Sequence, residues 1–180
     1  HAQISDDAVK IGVLTDMSSL YSDATGKGSL AAVQMAVADF GGKVKGKPIV
    51  VLSGDHQNKP DVGVNIARNW IDNDKLDAVF DVPTSSVALA VSTLLTEKNK
   101  IFINSGGGSS DLTGKACSPI FVHYTYDTYA LSSVAGKAMV KRGEDTWFFL
   151  TADYAFGHAL ERDATNIVKA AGGKVLGAVR

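Results

Sequence analysis

No run in these 180 residues approaches the roughly 20 consecutive apolar residues that a membrane-spanning helix needs. The sole cysteine, Cys117, excludes an internal disulfide framework, and as a small apolar side chain it is expected in the core. A net charge of -1 gives nucleic acid no electrostatic footing. Catalytic signatures are missing too: there is no G-x-S-x-G and no H-E-x-x-H. Gly114-Lys115 is followed by Ala116, and Ser109 stands where a phosphate loop needs its first glycine. Gly26, Gly28 and Ala31 fit G-x-G-x-x-A, with Asp55 after the next strand, but residues 16–25 separate them from the strand they should follow directly. Asp81 ends a strand, as a phosphoacceptor would, without the paired acids such a site requires; only Asp16 ends the first strand. His1, His56, His123 and His158 fall in separate segments, and His158, near Asp153 and Glu161, reads as part of a solvated helix face. The expectation is therefore no catalytic residue, no cofactor and no metal.

What is present is alternation. The chain is 45% hydrophobic and 21% charged, an ordinary globular balance. Continuous apolar strands are expected at 9–15, 48–53, 76–82, 101–103, 120–123, 146–151 and 174–179. Between them lie helical periods: Leu30, Val33, Val37 and Phe40, stopped by Gly41-Gly42; Val62, Ile66 and Trp70; Val87, Val91, Leu94 and Leu95; Leu131, Val134 and Ala138; Phe156, Leu160, Ala164 and Ile167. Strands alternating with helices predict an α/β fold with a parallel sheet covered on both faces. Trp70 and Trp147 are both expected in the core.

The pattern occurs twice. Leu14-Thr15-Asp16, a loop with Tyr21, a helix and Gly41-Gly42-Lys43-Val44 are echoed by Leu150-Thr151-Ala152-Asp153-Tyr154, a helix and Gly172-Gly173-Lys174-Val175. This predicts two doubly wound lobes, 1–123 and 124–180. The second, holding only two strands and two helices, buries too little to stand alone, so the rest of it is expected beyond Arg180.

Ligands of open α/β sheets gather beyond the carboxyl ends of the strands. There, Thr84-Ser85-Ser86 opens a helix. These hydroxyls suit helix capping, and the same helix end attracts an anion through its N–H groups and dipole. The stretch FINSGGGSSDL follows the fourth expected strand; Gly106, Gly107 and Gly108 offer backbone N–H groups without side-chain obstruction, beside Ser105 and Ser109. Tyr21 in the first lobe faces Tyr154 and Phe156 in the second, aromatics fit either for packing or for sandwiching an apolar ligand. Tyr124 and Tyr126 lie where the chain crosses between lobes and are expected to shape the hinge.

Taken together, VKIGVLTDMSSLYSDATGKGSLAAVQMAVADF, TSSVALAV, FINSGGGSSDLTG and FFLTADYAFGHALERD resemble the type I periplasmic solute-binding proteins of ABC importers, in the branch for branched-chain amino acids, amides and aromatic carboxylates. The resemblance implies two hinged α/β lobes closing on a small carboxylate or amino acid, delivery to a membrane permease, and export to the periplasm after removal of a signal peptide. The start His1-Ala2-Gln3, without methionine, fits a processed or tagged chain. It implies a carboxylate-binding serine at Ser85, with Thr84 and Ser86 beside it, and a second anchoring loop at Gly106 and Gly108. Tyr21 and Phe156 take the positions of the family's aromatic walls. Relatives that bind amino acids often have threonine in that loop and tyrosine at the Phe156 position. Here backbone donors or Ser105 must serve, which favours a less polar, aromatic carboxylate. Two readings compete: a sensory ligand-binding module of the same fold, and a nucleotide-dependent oxidoreductase.

Overall fold

The computed structural model describes residue 4 and residues 6–180; the start His1-Ala2-Gln3 lies outside the described residues. The chain runs β1 (Val9–Thr15), α1 (Gly26–Asp39), β2 (Lys43–Val44), β3 (Lys47–Asp55), α2 (Pro60–Asp72), β4 (Ala78–Asp81), α3 (Ser85–Glu97), β5 (Ile101–Asn104), a 3-10 turn (Ser110–Leu112) and β6 (Phe121–His123). It continues through α4 (Thr128–Lys141), β7 (Thr146–Leu150), α5 (Ala155–Ala170) and β8 (Lys174–Val179). A six-stranded sheet has the order β2-β3-β1-β4-β5-β6, and β7 and β8 form a parallel pair of their own.

Every pairing in the larger sheet is parallel except β2 with β3. The sequence reading missed this short hairpin. Its signal is Lys45-Gly46, both at positive φ (49° and 82°), the turn that lets two residues join antiparallel strands. From β1 the chain steps outward to β3 and then crosses back to β4 on β1's other side. The strand order thus reverses between β1 and β4, where an open α/β sheet leaves a crevice at its carboxyl edge.

The core lies between this sheet and α2 and α3. Leu14, Val79 and Phe102 of the strands pack with Ala67, Trp70 and Ile71 of α2 and Val87, Val91 and Leu95 of α3. Fully burying such side chains stabilises by about 1.5–3 kcal/mol each. Trp70 lies directly across the strands: a Cβ on Gly12 would meet its ring at 2.5 Å, and one on Gly54 at 2.9 Å. Glycine in these strands is therefore what lets the indole reach the sheet.

Caps set the helix ends. Pro60 and Asp61 open α2, and Asp127 Oδ1 accepts the Ala130 N–H at 2.6 Å to start α4. Gly41 and Gly42, with φ of 93° and 69°, stop α1.

Two burial expectations are corrected. Cys117 is exposed, because it follows the 3-10 turn in a surface loop rather than an element facing the core. Trp147 is half-buried: the β7–β8 pair has too few neighbours to cover it, and its Nε1 donates to the Glu144 carbonyl at 2.9 Å. The stripe on α1 is also thinly covered, with Leu30, Val33 and Val37 half-buried and Phe40 exposed.

Candidate functional site

The carboxyl edge of the larger sheet is built by three loops. After β1, the Asp16 carboxylate gathers the loop that carries Tyr21. Its Oδ2 accepts from Tyr21 N–H at 2.8 Å and Ser19 Oγ at 2.6 Å, and its Oδ1 from Ser19 N–H at 2.9 Å. Burial works against the charge on Asp16, but these donors prevail and hold its pKa below the usual carboxylate value. Asp55, ending β3, supports the same loop, accepting from Met17 N–H at 3.0 Å and Ser18 Oγ at 2.6 Å. Gly26 then opens α1 at φ 50°, where a Cβ would stand 2.9 Å from the Asp16 carbonyl.

After β4, Asp81 and Val82 adopt φ of 78° and 57°. For a β-branched residue before proline this is a rare conformation, and strain of this kind costs of order 1–3 kcal/mol per residue. Asn104 holds it in place: Nδ2 donates to the Asp81 and Val82 carbonyls, both at 2.9 Å, and Ser105 Oγ donates to Asp81 Oδ1 at 2.7 Å. The distortion aims Pro83 and α3 at the crevice. No side chain caps α3, so the N–H groups of its first turn are left without a capping partner. Thr84 is the cap residue; its buried hydroxyl has no hydrogen-bond partner.

After β5 the glycine loop packs against these same residues. None of Gly106, Gly107 and Gly108 has positive φ, so close approach, not backbone freedom, explains them. A Cβ would meet Pro83 Cα at 2.7 Å from Gly106 and Ala88 Cβ at 3.0 Å from Gly107. From Gly108 it would meet the rings of Tyr126 at 2.9 Å and Phe156 at 3.0 Å. The carbonyl of Gly107 bonds His123 Nε2 at 2.5 Å. The Ser109 N–H donates to Ser85 Oγ at 3.1 Å, so Ser85 accepts on one side and keeps its proton to donate on the other.

The opposite wall comes from the start of α5. Tyr154 and Phe156 stack with ring centroids 6.1 Å apart. The Tyr154 hydroxyl is hydrogen-bonded to that of Tyr21; burial, then this bond, push the Tyr154 pKa above its ordinary value.

Between the walls is a cavity of about 350 Å³, lined by Tyr21, Ala24, Thr25, Pro83, Ser85, Ser105, Gly106, Tyr126, Tyr154 and Phe156. The structure thus brings Tyr21, Ser85, Ser105, Gly106, Tyr154 and Phe156 together. Three residues from the sequence set stand behind the lining: Thr84 at the cap of α3, Gly108 behind the aromatic rings, and Ser86, whose Oγ accepts the Ala155 N–H at 3.4 Å. Tyr126, in the segment that crosses from β6 to α4, also lines the cavity; its signal was an aromatic next to the crossing between sheets. No lining residue carries a charge. Among the described residues, no group of three or more His, Cys, Asp or Glu side chains is placed to hold a metal.

Two larger hollows lack this chemistry. One of about 540 Å³ lies among α4, β7 and α5, walled by Leu131, Trp147, Phe149 and Leu160; another of about 700 Å³ sits at the amino edge of the larger sheet near Val9, Ile11 and Ile101. The first also reaches the start of α5 and Ser132 but takes in the Glu161 side chain, and the second takes in Asp77 and Lys100, so the smaller cavity, lined without charge and opening onto α3, is the candidate site.

A family model described as periplasmic binding protein matches residues 8–180. A periplasmic binding protein of Burkholderia mallei is 55% identical, with a TM-score of 0.94 over 97% of this chain and 46% of its own. A branched-chain amino acid ABC transporter periplasmic ligand-binding protein of Burkholderia xenovorans LB400 is 39% identical, with a TM-score of 0.81 over 96% of this chain and 46% of its own. An ABC transporter solute-binding protein of Rhodopseudomonas palustris BisB5, solved with 3,4-dihydroxybenzoic acid, is 27% identical, with a TM-score of 0.85 over 97% of this chain and 47% of its own. The chain spans about half the length of these solved relatives.

Proposed function

Because this chain belongs to the periplasmic binding protein family, a family of solute-binding proteins and not of enzymes, we propose that it captures a small aromatic carboxylate for an ABC importer. The ligand's carboxylate meets the first turn of α3, where uncapped N–H groups, the helix dipole and the Ser85 hydroxyl converge. Ser105 and the Gly106 backbone flank it. The ring of the ligand lies among Tyr21, Tyr126, Tyr154 and Phe156.

One observation carries this reading: a cavity walled by aromatic rings, free of charged side chains, opens onto an uncapped helix amino terminus. Glycine in the anchoring loop, where amino-acid-binding relatives often have threonine, and Phe156, where they often have tyrosine, favour an aromatic acid over a standard amino acid. The liganded Rhodopseudomonas relative supports the same class. The reading divides the chain into a first lobe through residue 123 and a second from residue 124, completed by further sequence such as the longer relatives have. Ligand shifts the lobes toward a closed form that a membrane permease recognises, and the protein works in the periplasm after export.

The test is a thermal-shift screen of the full-length protein against amino acids, aliphatic amides and substituted benzoic acids. A ligand at 100 times its dissociation constant stabilises by about 2.7 kcal/mol. Stabilisation by benzoic acids above that by leucine or valine supports the reading; stabilisation by amino acids alone defeats it.

A further inference from the structure

Asp163 stands about two turns along α5 from Phe156. Its side chain is nearly buried and both its oxygens are engaged. Oδ2 accepts from Ser110 Oγ and from Thr128 Oγ1, each at 2.6 Å, and Oδ1 accepts from Arg162 Nε at 3.0 Å. Arg162 extends the cluster, donating to Asp111 Oδ1 and to Ser110 Oγ, each at 2.8 Å. The Ser110 N–H donates to Thr128 Oγ1 at 3.0 Å, and the Thr128 N–H to the Gly108 carbonyl at 2.8 Å.

These bonds join the exit of the glycine loop, the first turn of α4 and the middle of α5. None of the residues in the cluster lines the cavity. A buried carboxylate is tolerated only with its hydrogen bonds complete, and a complete network has one geometry rather than a range. Together with the Ala155 N–H bonded to Ser86 Oγ of α3 at 3.4 Å, the Asp163–Ser110 bond ties α5 at two points to segments that follow β4 and β5. Tyr154 and Phe156 lie at the end of the helix so held.

We propose that Asp163 is a positioning residue, which fixes the Tyr154–Phe156 wall against the glycine-loop wall and so holds the cavity in its ligand-ready, closed arrangement. This rests on the solute-binding reading above. If the closed form is less populated, apparent affinity falls by the same fraction, although no ligand contact is lost.

The experiment compares full-length wild type with Asp163→Asn, Thr128→Val and Thr128→Ser. Two readouts are taken: amide hydrogen exchange of residues 109–112 without ligand, and calorimetric affinity for 3,4-dihydroxybenzoate. Asp163→Asn and Thr128→Val should speed the exchange and weaken the affinity by about tenfold each, roughly the worth of one charge-assisted hydrogen bond. Thr128→Ser, which keeps the hydroxyl, should stay within about twofold of wild type on the same grounds. Unchanged exchange in both Asp163→Asn and Thr128→Val overturns the proposal. So does faster exchange with unchanged affinity, which marks a purely structural role. If wild type itself does not bind this acid, the proposed ligand class fails separately, and the affinity comparison is made with whichever of leucine, valine or benzoate stabilises wild type in the thermal-shift screen.

Discussion

Leu14 and Leu150 stand at the carboxyl ends of β1 and β7 in similar sequence, Leu-Thr-Asp and Leu-Thr-Ala-Asp, yet Leu14 is fully buried and Leu150 is 87% exposed. Both strands form, so local propensity is satisfied in each. The difference lies in what surrounds them. β1 has a parallel neighbour on either side and is backed by α2, whereas β7 pairs only with β8 and leaves Phe148 and Leu176 uncovered as well. Strand identity is a local property, and burial is a property of the layer the strand joins.

The largest expected contrast is between the two leucines themselves. Leu14→Ala should cost about 2–5 kcal/mol in urea unfolding of the 180-residue chain, and Leu150→Ala no more than about 0.5 kcal/mol. In full-length protein the Leu150→Ala cost should rise toward the Leu14 range if further sequence covers β7, as the proposed second lobe requires; no rise would break that part of the account.

Next come the strand glycines. Gly12→Ala forces a Cβ to within 2.5 Å of the buried Trp70 ring, whereas Gly177→Ala meets at 3.0 Å the ring of Phe148, which is exposed and free to turn aside. Chemical denaturation should show a loss of about 1–3 kcal/mol for the first and under about 1 kcal/mol for the second.

A third contrast is between buried and exposed carboxylates. The folded pKa of Asp16 lies below its unfolded value, so its stabilisation is complete above the unfolded pKa of about 3.9 and is lost as pH falls below that. Asp16→Asn should cost about 1–2 kcal/mol at pH 7 and progressively less as pH falls through the lowered folded pKa. Asp153→Asn, at an exposed residue bonded at 2.8 Å to His158, should cost no more than about 0.5 kcal/mol at pH 7.

The smallest effect expected is at the cavity. Ser85→Ala combined with Tyr21→Ala should leave the fold intact, although the buried Ser109 N–H loses its acceptor, and weaken binding of a benzoic acid about tenfold, about 1.4 kcal/mol. Unchanged calorimetric affinity would remove both residues from the site.

Much of the fold was legible because strand–helix alternation is a local pattern. β1 and β8 fall on the expected residues, and the other strands differ at their ends. The β2–β3 hairpin was not seen because its strand is only Lys43–Val44, too short to carry a period. Burial was harder to read. Trp147 and Cys117 have core-forming side chains, but neither sits in a layer able to cover it.

At the site, Ser85 and Tyr21 could be placed at the sheet's carboxyl edge because each follows an expected strand, although capping and packing were equally open uses for them. The purpose of the glycines could not be read, since it depends on Pro83, Ala88 and Phe156, which only folding brings beside them. Nor could Asp163, whose partners Ser110 and Thr128 are distant in sequence and individually ordinary.

The account turns on an anion held by the uncapped start of α3 beneath an uncharged aromatic wall. Calorimetry on full-length protein with 3,4-dihydroxybenzoate and with the corresponding neutral carboxamide tests this most directly, since the two differ only in the group that would face Ser85. The acid should bind and the amide should bind at least about tenfold more weakly, as expected when a charge-assisted hydrogen bond is lost. Equal affinity for the two would contradict it.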